Sequence, residues 1–391
     1  MAATILLIDL CTMDITDDTH KTPTYVDEGY IFLSSNNVTS GVIDWDNVMY
    51  IPESLHNELY KRIAPQKNDI LLAKNGTTGV AAIVDRDEIF DIYVSLALIR
   101  PDEAKVLPRY LLHAINSYPT KQFFDSHLKG IGVPNLHLTH IRETPIKVPS
   151  FAEQQHITNI LDKVAELITL RKEQLAKLDR LVKSRFIELF GDCETNPKGW
   201  KTKCLEDIAE VGSSKRVFVE ELQEDGIPFY RGTEVGALAE GKQIAPELFI
   251  TEEHYTELCK ATGAPQIGDL LMPSICPDGR IWVVDTDKPF YFKDGRVLWV
   301  HNIDVSYNPI FLLYTLKDRI MTDYSSIASG TTFAELKIFA LKKCLIFDVP
   351  LAMQNEFATF IEQTDKSKLA IQQSLNKLEL LKKSLMQEYF G

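Results

Sequence analysis

IKVPSFAEQQHITNILDKVAELITLRKEQLAKLDRLVKSRFIELFG (146–191) and FDVPLAMQNEFATFIEQTDKSKLAIQQSLNKLELLKKSLMQEYFG (347–391) are two versions of one segment. At an offset of 200, Leu175, Lys177, Leu178, Leu181, Lys183, Ser184, Glu188, Phe190 and Gly191 recur as Leu375, Lys377, Leu378, Leu381, Lys383, Ser384, Glu388, Phe390 and Gly391. Nine identities at one offset inside a helix-length window mark a duplication. The offset holds upstream as well: QKNDILLA (66–73) faces QIGDLLMP (266–273), and AAIVDRD (81–87) faces IWVVDTD (281–287). The repeated unit is therefore a globular domain followed by a helix. A period near 200 is far beyond the roughly 20–50 residues of solenoid and propeller repeats, so this is a tandem domain duplication.

Within the segment, Leu161, Val164, Ile168, Arg171, Leu175, Leu178, Val182, Arg185 and Leu189 follow the alternating 3,4 spacing of a coiled-coil seam. The second copy places Ile361, Thr364, Lys368, Ile371, Leu375, Leu378, Lys382, Leu385 and Tyr389 on the same seam. Arginine, lysine and threonine interrupt both stripes, which points to the two helices packing on each other, antiparallel. Ile157, Leu167, Leu170 and Leu181 form surplus apolar surface for a partner. A helix of this length extends roughly 55–60 Å and acts as a spacer. Two similar domains held by such a pair are related by a pseudo-twofold axis.

The domain boundaries read as 1–148 for the first globular domain, 149–191 for the central helix, 192–349 for the second domain and 350–391 for the C-terminal helix. Short β-rich runs such as IFLSS (31–35), DILLA (69–73), VAAIV (80–84) and YVSLALI (93–99) are separated by Gly, Asn, Asp and Pro. A helical stretch, PRYLLHAINSYPTKQFF, then opens at Pro108. FYRGT (229–233), DLLMP (269–273), IWVVD (281–285), VLWVHNI (297–303) and PIFLLYTLKDRIM repeat that order. The fold class is mixed α/β (α+β).

Composition is that of a globular chain, 45% apolar and 25% charged over 391 residues. No run approaches the ~18 apolar residues of a membrane span, and the N-terminus lacks a basic region before its first acids, Asp9 and Asp14. A cytoplasmic protein with no membrane association is expected. The six cysteines have no paired spacing, and His137 and His140 have no accompanying acids at metal-ligand spacing, so no metal is expected. Net charge is −13, and the globular domains carry the excess acid: 13 basic against 19 acidic groups in residues 1–150, and 17 against 25 in 192–349. Taken alone, that opposes nucleic-acid binding, which relies on Lys and Arg against phosphate.

Catalytic signatures are missing. There is no phosphate-binding Gly-rich loop, zincin helix or nucleophile elbow, nor the Asn/Asp-Pro-Pro-aromatic or Pro-Cys motif of DNA methyltransferases. PDEAK (101–105) faintly suggests a metal nuclease, but its two halves lack the separation such sites need, and it reads as a polar loop. Asp69 and Asp269 recur at strand starts, where a turn-capping role is commoner than a catalytic one. No catalytic residue is assigned.

Taken together, the two ~200-residue repeats, the QKNDILLA and QIGDLLMP strands, Gly130 followed by IKVPSFAEQQHI and Gly330 followed by FDVPLAMQNEF resemble the specificity subunit of type I restriction-modification systems. The opening NPKGWKTKCLEDIAEV of the second module is also similar to that family; the first module lacks the Trp. The resemblance covers nearly the whole chain. It implies a non-catalytic reader of double-stranded DNA, each globular domain a target recognition domain for one half of a bipartite site, with the helices setting the unread gap. It implies two methyltransferase subunits and a restriction subunit as partners, with S-adenosylmethionine and ATP/Mg belonging to those partners and no cofactor in this chain. Phosphate neutralisation then falls largely to the partners, and the isolated chain is expected to bind DNA poorly.

Base reading uses short polar groups and arginine, because Arg pairs with guanine and Asn or Gln with adenine. The candidates in the first domain are Ser34, Ser35, Asn36, Asn37, Lys74, Asn75, Thr77, Thr78 and Lys129. In the second they are Lys215, Arg216, Arg231, Thr233, Ser274, Arg280, Ser329, Thr331 and Thr332. Their weight comes from the equivalent loops having diverged (KNGTTG against SICPDG) between similar strands. Two other readings stand beside this one: an assembly scaffold holding two copies of a protein partner without touching DNA, and a metal-dependent nuclease built on PDEAK. A stand-alone subunit of a related methylation system is a further variant.

Overall fold

The structure, a computed structural model, describes residues 3–19, 21–128, 134–329 and 334–391. It divides into two compact units, Met1–Glu173 with Gln372–Gly391, and Gln174–Ile371. Each holds one globular module together with a piece of each long helix.

In the first unit, Ile70–Ala73 is the central strand of an antiparallel sheet, flanked by Ala81–Ile83 and Leu96–Ile99. All four of its residues are buried because both faces are covered. Ile70 and Leu72 pack against the helix Pro108–Ile115 and the long helix, while Leu71 and Ala73 face a second core with Leu33, Phe90 and Ile92. That reads in sequence as a short continuous apolar run rather than an alternating one. A second sheet pairs Tyr30–Leu33 in parallel with Phe90–Ile92 and antiparallel with Met49–Ile51. Ala3–Leu6 pairs with Pro145–Val148, tying the start of the module to the strand that leads into the long helix.

The second unit repeats the plan. Leu270–Pro273 is central between Val297–His301 and Trp282–Val283; Ile227–Tyr230 pairs in parallel with Tyr291–Phe292; and Leu345–Phe347 pairs with Thr202–Cys204. Asp69 and Asp269 serve the same local purpose: each accepts the backbone N–H of the residue three before it, Gln66 or Gln266, at 2.8 Å. Arg100 Nε and Trp299 Nε1 then donate to these carboxylates at 2.8 and 2.9 Å. They are turn-capping groups.

One stretch departs from its reading. PRYLLHAINSYPTKQFF forms two helices, Pro108–Ile115 and Tyr118–Ser126, not one. Pro119 lacks the N–H that a continuous helix needs and can sit only in a first turn. Asn116, at the break, spends its side chain on Ala81, donating to its carbonyl at 2.9 Å and accepting its N–H at 3.0 Å. The equivalent Pro309–Ile327, without a second proline, is one helix of 19 residues.

The long helices run Phe151–Phe190 and Leu351–Phe390. Every seam position named from the 3,4 spacing is buried or half-buried. Inside each unit the two helix segments run antiparallel. In the first, Phe390 packs on Tyr110 beside Leu161, and Lys172 reaches Glu379 at 3.5 Å. In the second, Phe186 and Phe190 pack against Phe357, and Lys368 pairs with Asp179 at 2.7 Å. Two of the polar seam residues are matched by acids across the pair: Lys368 by Asp179, and Arg185 by Glu356 (2.6 Å) as well as by Glu188 (2.9 Å) on its own helix.

A duplicated glutamine fixes each helix start. Gln154 and Gln354 are fully buried. The Oε1 of Gln154 accepts the N–H of Leu107 and its Nε2 donates to the carbonyl of Pro149; Gln354 does the same with Asn308 and Val349. Each glutamine therefore ties the long helix to the chain just ahead of the proline-started helix of its module. Among the described residues, no helix is long and apolar enough to cross a membrane.

Candidate nucleic-acid interface

Backbone hydrogen bonds place the diverging loops at the same strand ends in both modules. Lys74 N–H donates to the Ser95 carbonyl, and the Lys74 carbonyl accepts Leu136 N–H; Ser274 makes the same two bonds with Arg296 and Leu336, all at 2.7–2.9 Å. At the end of the parallel strand, the N–H of Ser34 is capped by Asn37 Oδ1 (2.9 Å), and that of Arg231 by Glu234 Oε2 (2.8 Å). Register therefore equates Ser34 with Arg231, Asn37 with Glu234, Lys74 with Ser274, Ser95 with Arg296, and Asn135 with Glu335. The backbone framework is shared and the side chains at its rim are exchanged.

In the first module, Ser35 N–H donates to Ser95 Oγ at 2.9 Å, which joins the Ser34–Ser35 turn to the Lys74 strand end. Asn75 pairs with Asn135 in an antiparallel bridge, and the Oδ1 atoms of both are enclosed with no hydrogen-bond partner among the described residues. Asn36 and Thr77 are exposed and Thr78 half-exposed on the adjoining turns.

Two candidates are corrected here. Lys74 is only 6% exposed and its ammonium sits 2.6 Å from Asp17. Asn37 is buried, accepting from Ser34 and donating to the Asp44 and Asn47 carbonyls. A lysine or asparagine in a loop looks available in sequence, but here the strand end turns each inward to satisfy buried polar groups. Both hold the loops rather than face outward. Lys129 lies outside the described residues.

The second module gathers arginines. The helix Gly232–Ala239 packs on the end of Leu270–Pro273, and a Cβ at Gly232 would stand 3.4 Å from Pro273. A Cβ at Gly236 would stand 3.2 Å from Arg280 Nη1, so glycine lets Arg280 lie across that helix. Each arginine is matched by acid. Arg216 Nε lies 3.2 Å from Asp294, Arg280 lies 2.8 Å from Asp278 with Glu240 at 3.7 Å, and Arg296 pairs with Glu335. Arg231 is held from both Nε and Nη2 by Glu234, with the exposed Glu247 at 3.1 Å from Nη2. Burial would raise the Glu234 carboxyl, but bonds from Arg231 and from Thr233 Oγ1 outweigh that and hold it at about 2.

Lys215 and Thr233 are exposed; the backbone of Lys215 is set by Tyr291 Oη at 3.0 Å. Ser329 is exposed in a two-residue strand opposite Glu335. Ser274 is buried, a third correction, since its role is the backbone junction described above. Thr331 and Thr332 lie outside the described residues. The rim positions that sequence reading passed over are Asn135, Arg296 and the positioning acid Glu234; Ser95, the equivalent of Arg296, is buried and holds the Ser35 turn. Arg296 directly precedes the apolar strand Val297–His301 as Ser95 precedes Leu96–Ile99, so aligning the two modules by strand register locates it.

Of the helix residues assigned to a partner surface, Leu170 and Leu181 are 43% and 50% exposed and Leu167 is half-buried. Ile157 is buried in the core of the first module. Ile157 continues the 3,4 spacing before Leu161, and near its start the helix turns that face, with Gln154 and Thr158 also buried, onto its own module. Leu369, Leu380 and Leu381 are also exposed. PDEAK forms a loop in which Lys105 pairs with Asp102 at 3.1 Å.

The family described as the type I restriction modification DNA specificity domain matches residues 7–180 and again 197–380. The chain is 24% identical over 361 residues to the type I restriction enzyme MjaIX specificity subunit of Methanocaldococcus jannaschii, covering 86% of this chain and 79% of that one. It is 22% identical over 169 residues to the EcoBI specificity subunit of Escherichia coli, over 42% of this chain and 35% of that one. In fold it is similar to the crystal structure of the type I restriction-modification S subunit from M. genitalium, with a TM-score of 0.61 and 15% identity over 100% of this chain and 96% of that one. A chain from a structure of complex assembly and conformational transition in a type I system gives 0.57 and 18%, over 100% and 97%. With the family match falling once on each module and its helix, the chain belongs to the type I restriction-modification DNA specificity family and is a non-catalytic DNA-recognition subunit.

Proposed function

We propose that the two modules read the two halves of a bipartite site in double-stranded DNA, and that the helices set the number of unread base pairs between them. The observation that carries this is the exchange of side chains on a common backbone framework: Ser34, Ser95 and Asn135 in one module occupy the places of Arg231, Arg296 and Glu335 in the other. A scaffold that bound two copies of one protein would keep its contacting side chains alike. Readers of two different half-sites must differ there. The reading surface comprises Ser34, Ser35, Asn36, Asn75, Thr77 and Thr78 in the first module. In the second it comprises Lys215, Arg216, Arg231, Thr233, Arg280 and Ser329.

The partners are two methyltransferase subunits and a restriction subunit, docking on helix residues such as Leu170 and Leu181, whose exposed apolar side chains suit protein contact. S-adenosylmethionine and ATP/Mg belong to those subunits, and the complex works in the cytoplasm. The pairing of each rim arginine with a carboxylate fits a chain that relies on its partners for most phosphate neutralisation.

Single-molecule sequencing of DNA methylation, in cells carrying the chain with its methyltransferase subunit and in cells lacking only the chain, tests the reading. A split motif with an unread gap that appears only with the chain is expected. Methylation indifferent to the chain would sink the proposal.

A further inference from the structure

We infer that Arg231, positioned by Glu234, reads a guanine in the half-site of the second module; the inference rests on the DNA-reading function proposed above. A guanidinium has five N–H donors in a rigid fork. Glu234 takes the edge formed by Nε and Nη2, with contacts of 3.1–3.2 Å from Nε. Glu234 itself is fixed from three sides, because its carboxylate also caps the Arg231 N–H (2.8 Å) and accepts from Thr233 Oγ1 (2.9 Å). The guanidinium plane is therefore held at the strand end before any ligand arrives. Among the described residues Nη1 makes no hydrogen bond, and the only other group on Nη2 is Glu247, an exposed rim carboxylate free to swing into solvent. Once Glu247 leaves, the outer edge presents two parallel N–H groups, which is the donor pair that guanine O6 and N7 accept in the major groove.

A phosphate contact has no need of this arrangement. A phosphate-binding arginine gains from full positive charge, whereas Arg231 has a carboxylate permanently beside it that cancels charge while fixing direction. The neighbours differ. Arg216 and Arg280 are each tied to an acid chiefly through Nε, without a carboxylate held as Glu234 is. The first module carries Ser34 at the equivalent strand end, capped by the neutral Asn37, and so has no fork at this position.

The test is the methylation map of the full chain with its methyltransferase subunit, recorded for wild type, R231A, R231K and E234Q. R231A is expected to lose discrimination at one G·C pair of the second half-site by roughly 10- to 100-fold, with the first half-site unchanged. R231K keeps the charge but not the fork, and is expected to relax the same pair. E234Q, which frees the guanidinium, is expected to relax that pair by a smaller factor; a merely structural role for Glu234 would instead lower methylation at every site alike.

Because R231A leaves the Glu234 carboxylate without its partner, R231Q/E234Q removes the charges together and is expected to give the same single-position loss. The inference is overturned if R231A lowers methylation uniformly while R231K restores it, which is the behaviour of a phosphate contact. It is equally overturned if a chain-dependent motif persists unaltered in R231A and R231Q/E234Q. A wild-type map with no chain-dependent motif would overturn the DNA-reading assignment itself, and this inference with it.

Discussion

Lys74 and Thr77 stand three residues apart in one loop, yet only one of them faces outward. Removing the Lys74 side chain would leave Asp17 as a buried charge without this partner, and breaking such a pair costs about 3 kcal/mol or more. Thr77 is exposed, and Thr77→Ala should change stability by no more than ~0.5 kcal/mol. Urea denaturation is expected to show a large fall in midpoint for Lys74→Ala and none for Thr77→Ala. The methylation motif should respond in the opposite order, with Thr77→Ala relaxing one position of the first half-site.

Asp162 supplies a pH test. Burial alone would raise its carboxyl, but hydrogen bonds from His113 Nε2, at 2.8 Å, and from Arg109 outweigh that and hold it at about 2, against an ordinary 3.8. The folded state therefore favours the charged form. Its stabilisation is fully present above the ordinary carboxylate range and drains away as pH falls from about 4 towards 2. With Arg109 half exposed, solvent screening brings the worth down to the order of 1 kcal/mol. Thermal melts of wild type and Asp162→Asn should differ by a few degrees at pH 6 and converge towards pH 2; a constant gap would remove Asp162 from the account.

At the scale of elements, each long helix is fastened to its module by one buried glutamine that satisfies a backbone donor and a backbone acceptor. Truncation strands both groups, so Gln154→Ala and Gln354→Ala should each cost about 1–3 kcal/mol. Gln154→Ala is expected to loosen the first unit and Gln354→Ala the second, read as hydrogen exchange at Leu107 and Asn308.

The helices themselves are plain in the sequence, because a 3,4 spacing held over 161–189 and repeated over 361–389, even with polar interruptions, has one structural solution. So are the central strands, where ILLA and LLMP are apolar without alternation. Pro108 and Pro309 marked their helix starts for the same reason that Pro119 broke the helix after Pro108. The loop rim was much less legible. Lys74, Asn37 and Ser274 are polar residues in polar surroundings, and nothing local says that the strand end points them inward. Ile157 continues the 3,4 spacing one step before Leu161, so periodicity alone turns it inward; what periodicity does not register is that its own module, rather than a partner, covers it. Glu234 is legible as a positioning group only from the register, which makes it the equivalent of Asn37.

For the molecule as a whole, the proposed spacer role makes a length prediction. Removing one heptad from both helices takes out ~10.5 Å of rise, about three base pairs at ~3.4 Å per step. Deletion of residues 171–177 together with 371–377 keeps the seam in phase and spares Leu170 and Leu181. It should shorten the unread gap of the methylation motif by about that amount and leave both half-sites intact. Altered half-site sequences would show that the helices do more than separate.

The composition of the two units bears on how the chain is made. The first unit is completed by residues 372–391, whose Phe390 closes the core around Tyr110. The second unit lies wholly inside that interval, in residues 174–371. During synthesis, then, the module translated first waits longest for its final packing surface, while the later one can settle as soon as it leaves the ribosome. A chain that has emerged only as far as residue 371 would carry every residue of the second unit and a first one still lacking Phe390 against Tyr110, a gap open to chaperones or to the helix of another nascent chain.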